Sequence, residues 1–236
     1  MQENSPPQLV PLADTAWQLR WTGEPELATT RQITALAQRS MQVFQDEQIE
    51  VVPGLATLTF IPARLADDDL LQARIEQLVR ESSAQGQDSA RIIELPICYD
   101  GEYGPDLPEV ARHAGLSSDE VIARHLQSEY LVAMLGFSPG FPYLRGLPPE
   151  LATPRRATPR LQIPAGSVGI AGTQTGIYPQ ATPGGWQLIG RTPARLFALD
   201  QSPPALLQPG DHVRFRRIDA TEFISLQEAA AKGAAR

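Results

Sequence analysis

The chain has 236 residues, 42% of them hydrophobic and 20% charged, which suits a soluble globular protein of one large or two small domains rather than a disordered, fibrous or membrane-spanning one. A net charge of −7 argues against a general nucleic-acid binder, since neutralising phosphates needs a basic face. The single cysteine, Cys98, excludes an intrachain disulfide, and the single lysine, Lys232 in the Ala-rich end, excludes a P-loop, whose lysine must follow its glycine loop directly.

The start of the chain, MQENSPPQLVPLADTAW, has no basic segment followed by an apolar one, and no apolar run reaches membrane-spanning length. The reading is therefore cytoplasmic, with no membrane and no nucleic-acid partner. Ala16 to Trp21 reads as a strand. Thr29 to Phe44 carries Ile33, Leu36, Ala37, Met41 and Phe44 at helical spacing, with Thr29 or Thr30 as N-cap. Glu50 to Val52 and Leu55 to Ile61, joined by Pro53-Gly54, read as a hairpin. Asp67 to Ser82 is a second helix with Leu71, Ile75, Leu78 and Val79 on its apolar face, and Arg91 to Ile97 closes the set as a strand. The order β-α-β-β-α-β predicts a ferredoxin-like α/β sandwich over residues 1–97.

Two short helices follow, Pro108 to His113 and Ser118 to Gln127, the second capped by Ser117 or Ser118. From Tyr130 on, short apolar strands punctuated by Gly and Pro predict a closed β-barrel or a sandwich in the domain of residues 98–226, with a last strand from Asp211 to Ile218. Residues 227–236 read as a flexible tail. The overall fold class is α+β.

Charge is unevenly spread. Residues 1–130 hold 21 acids and 9 bases, whereas 131–199 hold Glu150 alone against six arginines. That stretch also holds 10 Gly and 10 Pro between Leu131 and Arg195. An arginine excess with few carboxylates points to a small anionic ligand such as a carboxylate or phosphate.

Gly136-Phe137-Ser138-Pro139-Gly140 fits the G-x-S-x-G pattern of hydrolase elbows. Pro139, however, lacks the N–H that would serve as oxyanion donor after the serine. The segment reads instead as a rigid turn lining a pocket with Phe137, Phe141 and Tyr143, where Ser138 can hydrogen-bond. Ile163 to Pro193 is rich in glycines that permit close backbone approach, offers Thr173, Gln174, Thr175 and Thr182 as neutral polar groups, and contains Arg191, whose planar fork can clamp an anion. The run TPRRATPR, with Arg155, Arg156 and Arg160, either adds to that field or is a solvated face. His125 lies four residues before Glu129, so both are expected on one helix face; it is either a proton shuttle or a structural histidine. Asp106, Glu109, Asp119, Glu120 and Glu129 are the candidate acids and bases, and no close pair stands out among them. No metal site is indicated by His113, His125 and His212.

YGPDL (Tyr103 to Leu107), the GLSSDEVIARH helix, GFSPGFPYL (Gly136 to Leu144), PRRATPR, IPAGSVGIAGTQTGIYP (Ile163 to Pro179) and TPGGWQLIGRTP (Thr182 to Pro193) together resemble the 5-oxoprolinase B-subunit (PxpB) family, also described as KipI-type inhibitors and related to allophanate hydrolase subunit 1. The likeness is close over about residues 90 to 218 and weak before that. It implies a ferredoxin-like domain followed by a cyclophilin-like β-barrel. It also implies an assembly with subunits A and C in which 5-oxoproline is opened to L-glutamate at the expense of ATP, the nucleotide being shared with the partner subunits. His125 and Arg191 are then the expected catalytic groups, and Phe137, Ser138, Arg160, Gln174, Thr175, Gly176, Gly184, Gly185 and Trp186 the expected substrate contacts. The alternatives are a KipI-type protein that docks on a sensor histidine kinase, or an allophanate hydrolase subunit.

Overall fold

The computed structural model describes residues 6–12, 16–23, 26–63, 68–82 and 91–233, and the chain separates into two units, Met1–Ala90 and Arg91–Arg236. In the first unit, period-two runs build an antiparallel sheet from β1 (Gln8–Leu12), β2 (Ala16–Arg20), β3 (Ile49–Pro53) and β4 (Thr57–Pro62), in the order β1-β2-β4-β3. Two helices, α1 (Leu27–Val43) and α2 (Asp68–Ser82), share its core, where Leu19, Val51, Leu58 and Phe60 of the sheet meet Ile33, Leu36 and Ala37 of α1 and Leu71, Ile75 and Leu78 of α2. Helix α1 begins earlier than its threonines suggest. Glu26 is the N-cap, and Thr29 and Thr30 are buried inside the helix, where the Thr30 hydroxyl bonds back to the Glu26 carbonyl at 3.2 Å. Position 67, read as the first residue of α2, lies outside the described residues.

The expected β-α-β-β-α-β plan fails at its last strand. That segment does form β5 (Ile92–Cys98), but it belongs to the second unit, so the boundary falls at Ala90 rather than at residue 97. β5 runs parallel to β13 (His212–Ile218) from the pair His212↔Ile92 to Ile218↔Cys98. Leu95 and Ile97 belong to the core of the second unit, with Ile93 packed against it. The edge place beside β2 that the plan reserves for this strand is taken by β1, paired from Gln8↔Arg20 to Leu12↔Ala16.

The second unit is built on a closed seven-stranded barrel. With β6 (Tyr130–Leu135), β7 (Pro142–Arg145), β9 (Ser167–Ala171), β10 (Gln174–Ile177) and β12 (Gln187–Arg191), the ring runs β10-β7-β6-β13-β5-β12-β9. All neighbours are antiparallel except β5 and β13. A two-stranded ribbon of β8 (Arg160–Ile163) and β11 (Thr182–Gly184) stands apart from the ring. Two helices, α3 (Leu107–Ala114) and α4 (Ser118–Gln127), add Leu107, Val110, Ala111, Val121 and Ile122 to the barrel core. Gly115 ends α3 in the left-handed conformation. Ser117 opens α4 with a capping box, its Oγ accepting from Glu120 N while the Glu120 carboxylate accepts from Ser117 N at 2.8 Å. The region read as a tail from residue 227 continues the helix α5 (Ala220–Gly233), and the last three residues lie outside the described ones. Among the described residues no helix is long and apolar enough to cross a membrane.

Candidate functional site

Alternation along the strands sends one set of side chains into the barrel and the other set outward. On β7, β10 and β12 and the segments that flank them, the outward set is aromatic: Phe141, Tyr178 and Trp186 are buried with Ile163 and Leu188, and Tyr143 packs against them. Phe141 is the hub, with ring centroids 5.0 Å from Tyr143, 5.2 Å from Tyr178 and 5.4 Å from Trp186. Burial pushes the Tyr178 hydroxyl up to about 12, while Arg155 and Arg160 are near enough to pull it the other way.

The turn at one edge of this wall is strained. Phe137 has φ +67, and Ser138 N donates to Gly136 O at 2.7 Å, closing a γ-turn of the rare positive-φ hand. A phenylalanine held there stores about 1–3 kcal/mol. The loop is locked by Gly136 N donating to Phe141 O and Phe141 N to Ser138 O. Phe137 remains 61% exposed, its ring 5.5 Å from Phe141 and 6.3 Å from Tyr178. Residues Leu135 to Gly140 line a shallow concavity of about 350 Å³, and the Ser138 Oγ in it is buried without a hydrogen-bond partner.

The glycines of the following segment are required by this packing. A Cβ on Gly176 would lie 2.8 Å from the Phe141 ring, and one on Gly184 2.5 Å from the Tyr178 hydroxyl. Gly166, Gly169 and Gly190 are closed in the same way by Thr192 O, the Trp186 Cβ and Ile97. The expected glycine-rich cradle for an anion is thereby corrected: these glycines let the chain pack on itself. Gly172, with nothing within 4 Å, and Gly185, whose nearest contact would be Pro159 at 3.7 Å, differ.

Asp106 anchors the arginine run. It is 4% exposed, and its carboxylate accepts from Arg156 Nη1, from both Arg160 Nη atoms, each at 2.8 Å, and from Leu188 N at 2.7 Å. Arg156 N in turn donates to Gly185 O, so the run is bound to the start of β12. Arg160, expected as a substrate contact, spends its fork on Asp106. In the sequence Asp106 is one candidate acid or base among five; the YGPDL motif is the available signal, but nothing in it announces partners 50 residues away.

Two expected catalytic residues lie elsewhere. His125 is fully buried in the barrel core, stacked 4.8 Å from Phe215 and sharing a 2.8 Å hydrogen bond through Nδ1 with the Tyr99 hydroxyl, and burial drives its pKa down to about 3. It holds a structural position, neutral at physiological pH, with no edge open to solvent for a proton shuttle. Nor does it share a helix face with Glu129, which lies past the end of α4 and takes His212 at 2.6 Å and Arg214 at 2.9 Å. Arg191 ends β12, five residues beyond Trp186, roughly 16 Å at strand rise. Its Nε donates to Ala165 O at 2.8 Å and its guanidinium stands 5.7 Å from the Phe223 ring of α5. Its two Nη groups make no hydrogen bond among the described residues. Gln174 and Thr175 open β10, where the Thr175 hydroxyl donates to Gly169 O. The structure thus gathers Phe137, Ser138, Gly176, Gly184 and Trp186 at one wall and leaves His125 and Arg191 out of it. Among the described residues no group of three or more His, Cys, Asp or Glu is placed to hold a metal ion.

Residues 7–207 match the family model described as the carboxyltransferase domain, subdomain C and D. The chain is 48% identical over 207 residues to the B subunit of 5-oxoprolinase from Escherichia coli O157:H7, covering 86% of this chain and 93% of that protein. To the corresponding 5-oxoprolinase subunit of Bacillus subtilis (strain 168) it is 39% identical over 236 residues, covering 94% and 97%. Among solved structures, TTHA0988 superposes with a TM-score of 0.74 at 36% identity over 87% of this chain, which spans 40% of that longer chain.

Proposed function

Because the chain belongs to the 5-oxoprolinase B-subunit family, we propose that it works in an assembly with subunits A and C that opens 5-oxoproline to L-glutamate at the expense of ATP. The observation that carries this reading is the identity of 39–48% extending over both units of the chain to relatives that bear the subunit name. The kinase-inhibitor and allophanate readings have no such support. On this reading the barrel is cyclophilin-like, and the N-terminal unit is a ferredoxin-like variant with β1 in the edge place.

A lactam amide is a weak electrophile, and opening it calls for activation of its oxygen together with fixed positive charge where negative charge develops. There is no P-loop lysine, and of the glycines between Ile163 and Pro193 only Gly172 and Gly185 are not closed by the protein's own atoms; on this reading the nucleotide is shared with the partner subunits. What this chain offers is orientation. Arg191, steered by its bond to Ala165 O, keeps its two Nη groups for a carboxylate, in the parallel geometry that a guanidinium provides. The wall around Phe137, which does not include Arg191, offers a separate apolar surface.

The test is co-expression with subunits A and C followed by an ATP-dependent glutamate-release assay on the purified assembly. Release that requires all three chains is expected. A complete assembly that releases no glutamate above the rate without ATP overturns the reading.

A further inference from the structure

Two of the three most exposed large apolar side chains, Phe137 and Leu199, flank the aromatic wall. Phe137 is 61% exposed, Leu161 92% and Leu199 86%. Phe137 touches the wall through Phe141 and Tyr178. Leu161 sits two residues before Ile163, which packs into the wall, but the β8–β11 register slips between them, with Thr182↔Ile163 and Gly184↔Arg160, so Leu161 faces away from Ile163 into solvent. The Leu199 segment is fixed beside the Phe137 loop, because Gly140 lies so close to Phe197 that a Cβ there would come within 2.8 Å.

Arginines outnumber carboxylates around this patch. Arg155 is exposed, makes no hydrogen bond or ion pair among the described residues, and precedes Arg156, whose backbone is tied to Gly185 next to Trp186. Glu150, the sole acid of residues 131–199, is paired with Arg124 at 2.8 Å, and neighbouring Asp200 faces Arg195 at 3.5 Å. The Asp106 network holds the arginine run in place from beneath.

Resting on the reading above, we propose that Phe137, Leu199 and Arg155 form the docking surface for a partner subunit whose contact face carries an apolar socket ringed by carboxylates. A strained loop that holds an aromatic ring out in solvent is otherwise unfavourable, and burying such a ring in a partner's socket is what makes aromatic residues interface hot spots. Arg155 steers the encounter and sets the sign of the rim. A second copy of this chain is the wrong occupant, because a two-fold contact through this face sets one Arg155 cluster against the other.

Purified subunits A and C are titrated with the full-length wild type and with Phe137→Asp, Leu199→Asp, Arg155→Glu and, as a control on α5, the exposed Ile224→Asp. Far-UV circular dichroism and melting of each variant check the fold. Phe137→Asp is expected to weaken association by roughly 30-fold or more, as a central aromatic anchor does. Leu199→Asp and Arg155→Glu, which alter solvated side chains and leave the core intact, should each weaken it about tenfold, and Arg155→Glu should also flatten the salt dependence. Ile224→Asp should bind as wild type. Folded variants that all associate like wild type, an equal loss in Ile224→Asp, or a wild-type homodimer abolished by Phe137→Asp would each overturn the docking surface while leaving the role in the assembly intact. Failure of the wild type to associate with either partner overturns that role and the surface with it.

Discussion

Removing the Asp106 carboxylate should loosen the barrel's outer ribbon more than any change on its surface. Asp106→Ala takes away four hydrogen bonds at once: three from Arg156 and Arg160, and one from Leu188 N. The Leu188 amide that donates to Asp106 is buried, and leaving such a donor without this acceptor costs about 1–3 kcal/mol. The two guanidiniums are 34% and 25% exposed, so they regain water; of the about 3–5 kcal/mol for orphaning a fully buried ion pair, only about 1–2 kcal/mol applies. The sum is about 3 kcal/mol, or a fall in melting temperature of roughly 6–12 °C for a unit of this size. Asp106→Asn should recover little, because its amide must point a donor at an arginine or at the Leu188 N–H. The triple change Asp106→Ala, Arg156→Ala, Arg160→Ala should be milder than the sum of its parts, since no orphaned cation remains. Thermal melting and exchange of the Leu188 amide are the assays. An Asp106→Ala protein melting within about 2 °C of wild type, with Leu188 still protected, would refute the reasoning.

His125 is depressed from its ordinary 6.5 to about 3 in the fold, so the unfolded chain binds a proton that the folded one refuses; stability is full above pH 6.5 and falls as pH drops from there towards 3. At pH 5 the loss is about 2 kcal/mol, and His125→Phe, compared with wild type by urea unfolding at pH 7 and pH 5, should remove that difference; identical pH dependence in the two proteins counts against it. Gly184→Ala puts a methyl 2.5 Å from the Tyr178 hydroxyl and 2.7 Å from Ile163 and should destabilise by about 1–3 kcal/mol, whereas Gly185→Ala meets nothing nearer than 3.7 Å and should melt as wild type; equal melting of the pair would count against this packing. In the complete assembly, Arg191→Lys should lower 5-oxoproline cleavage about 30-fold, because an ammonium cannot replace two parallel bonds. Arg217→Lys, with its partner Asp100 at 3.7 Å and both half-exposed, should change cleavage less than about twofold; equal, near-wild-type rates in both would remove Arg191 from the site.

Local signals in the sequence determined the elements and the class of fold. Apolar spacing marked α1 and α2, a cap at Ser117 or Ser118 marked the start of α4, and the Gly- and Pro-punctuated strands after Tyr130 marked a barrel or sandwich, because helix periodicity, caps and turns depend on residues a few positions apart. The motifs from Tyr103 to Pro193 were specific enough to indicate the family. Partnership across the fold was a different matter. A period-two run such as Ile92–Cys98 states that it is a strand and not which sheet it joins, and only pairing with β13, 120 residues away, put it in the barrel. Burial likewise depends on everything packed around a residue: His125 at a helix end and His125 beneath Phe215 and Tyr130 are the same letter in the sequence. The arginines of PRRATPR looked alike until Asp106 claimed Arg156 and Arg160 and left Arg155 exposed. Long-range contacts choose among residues of equal local chemistry, and that choice exists only once the chain has closed on itself.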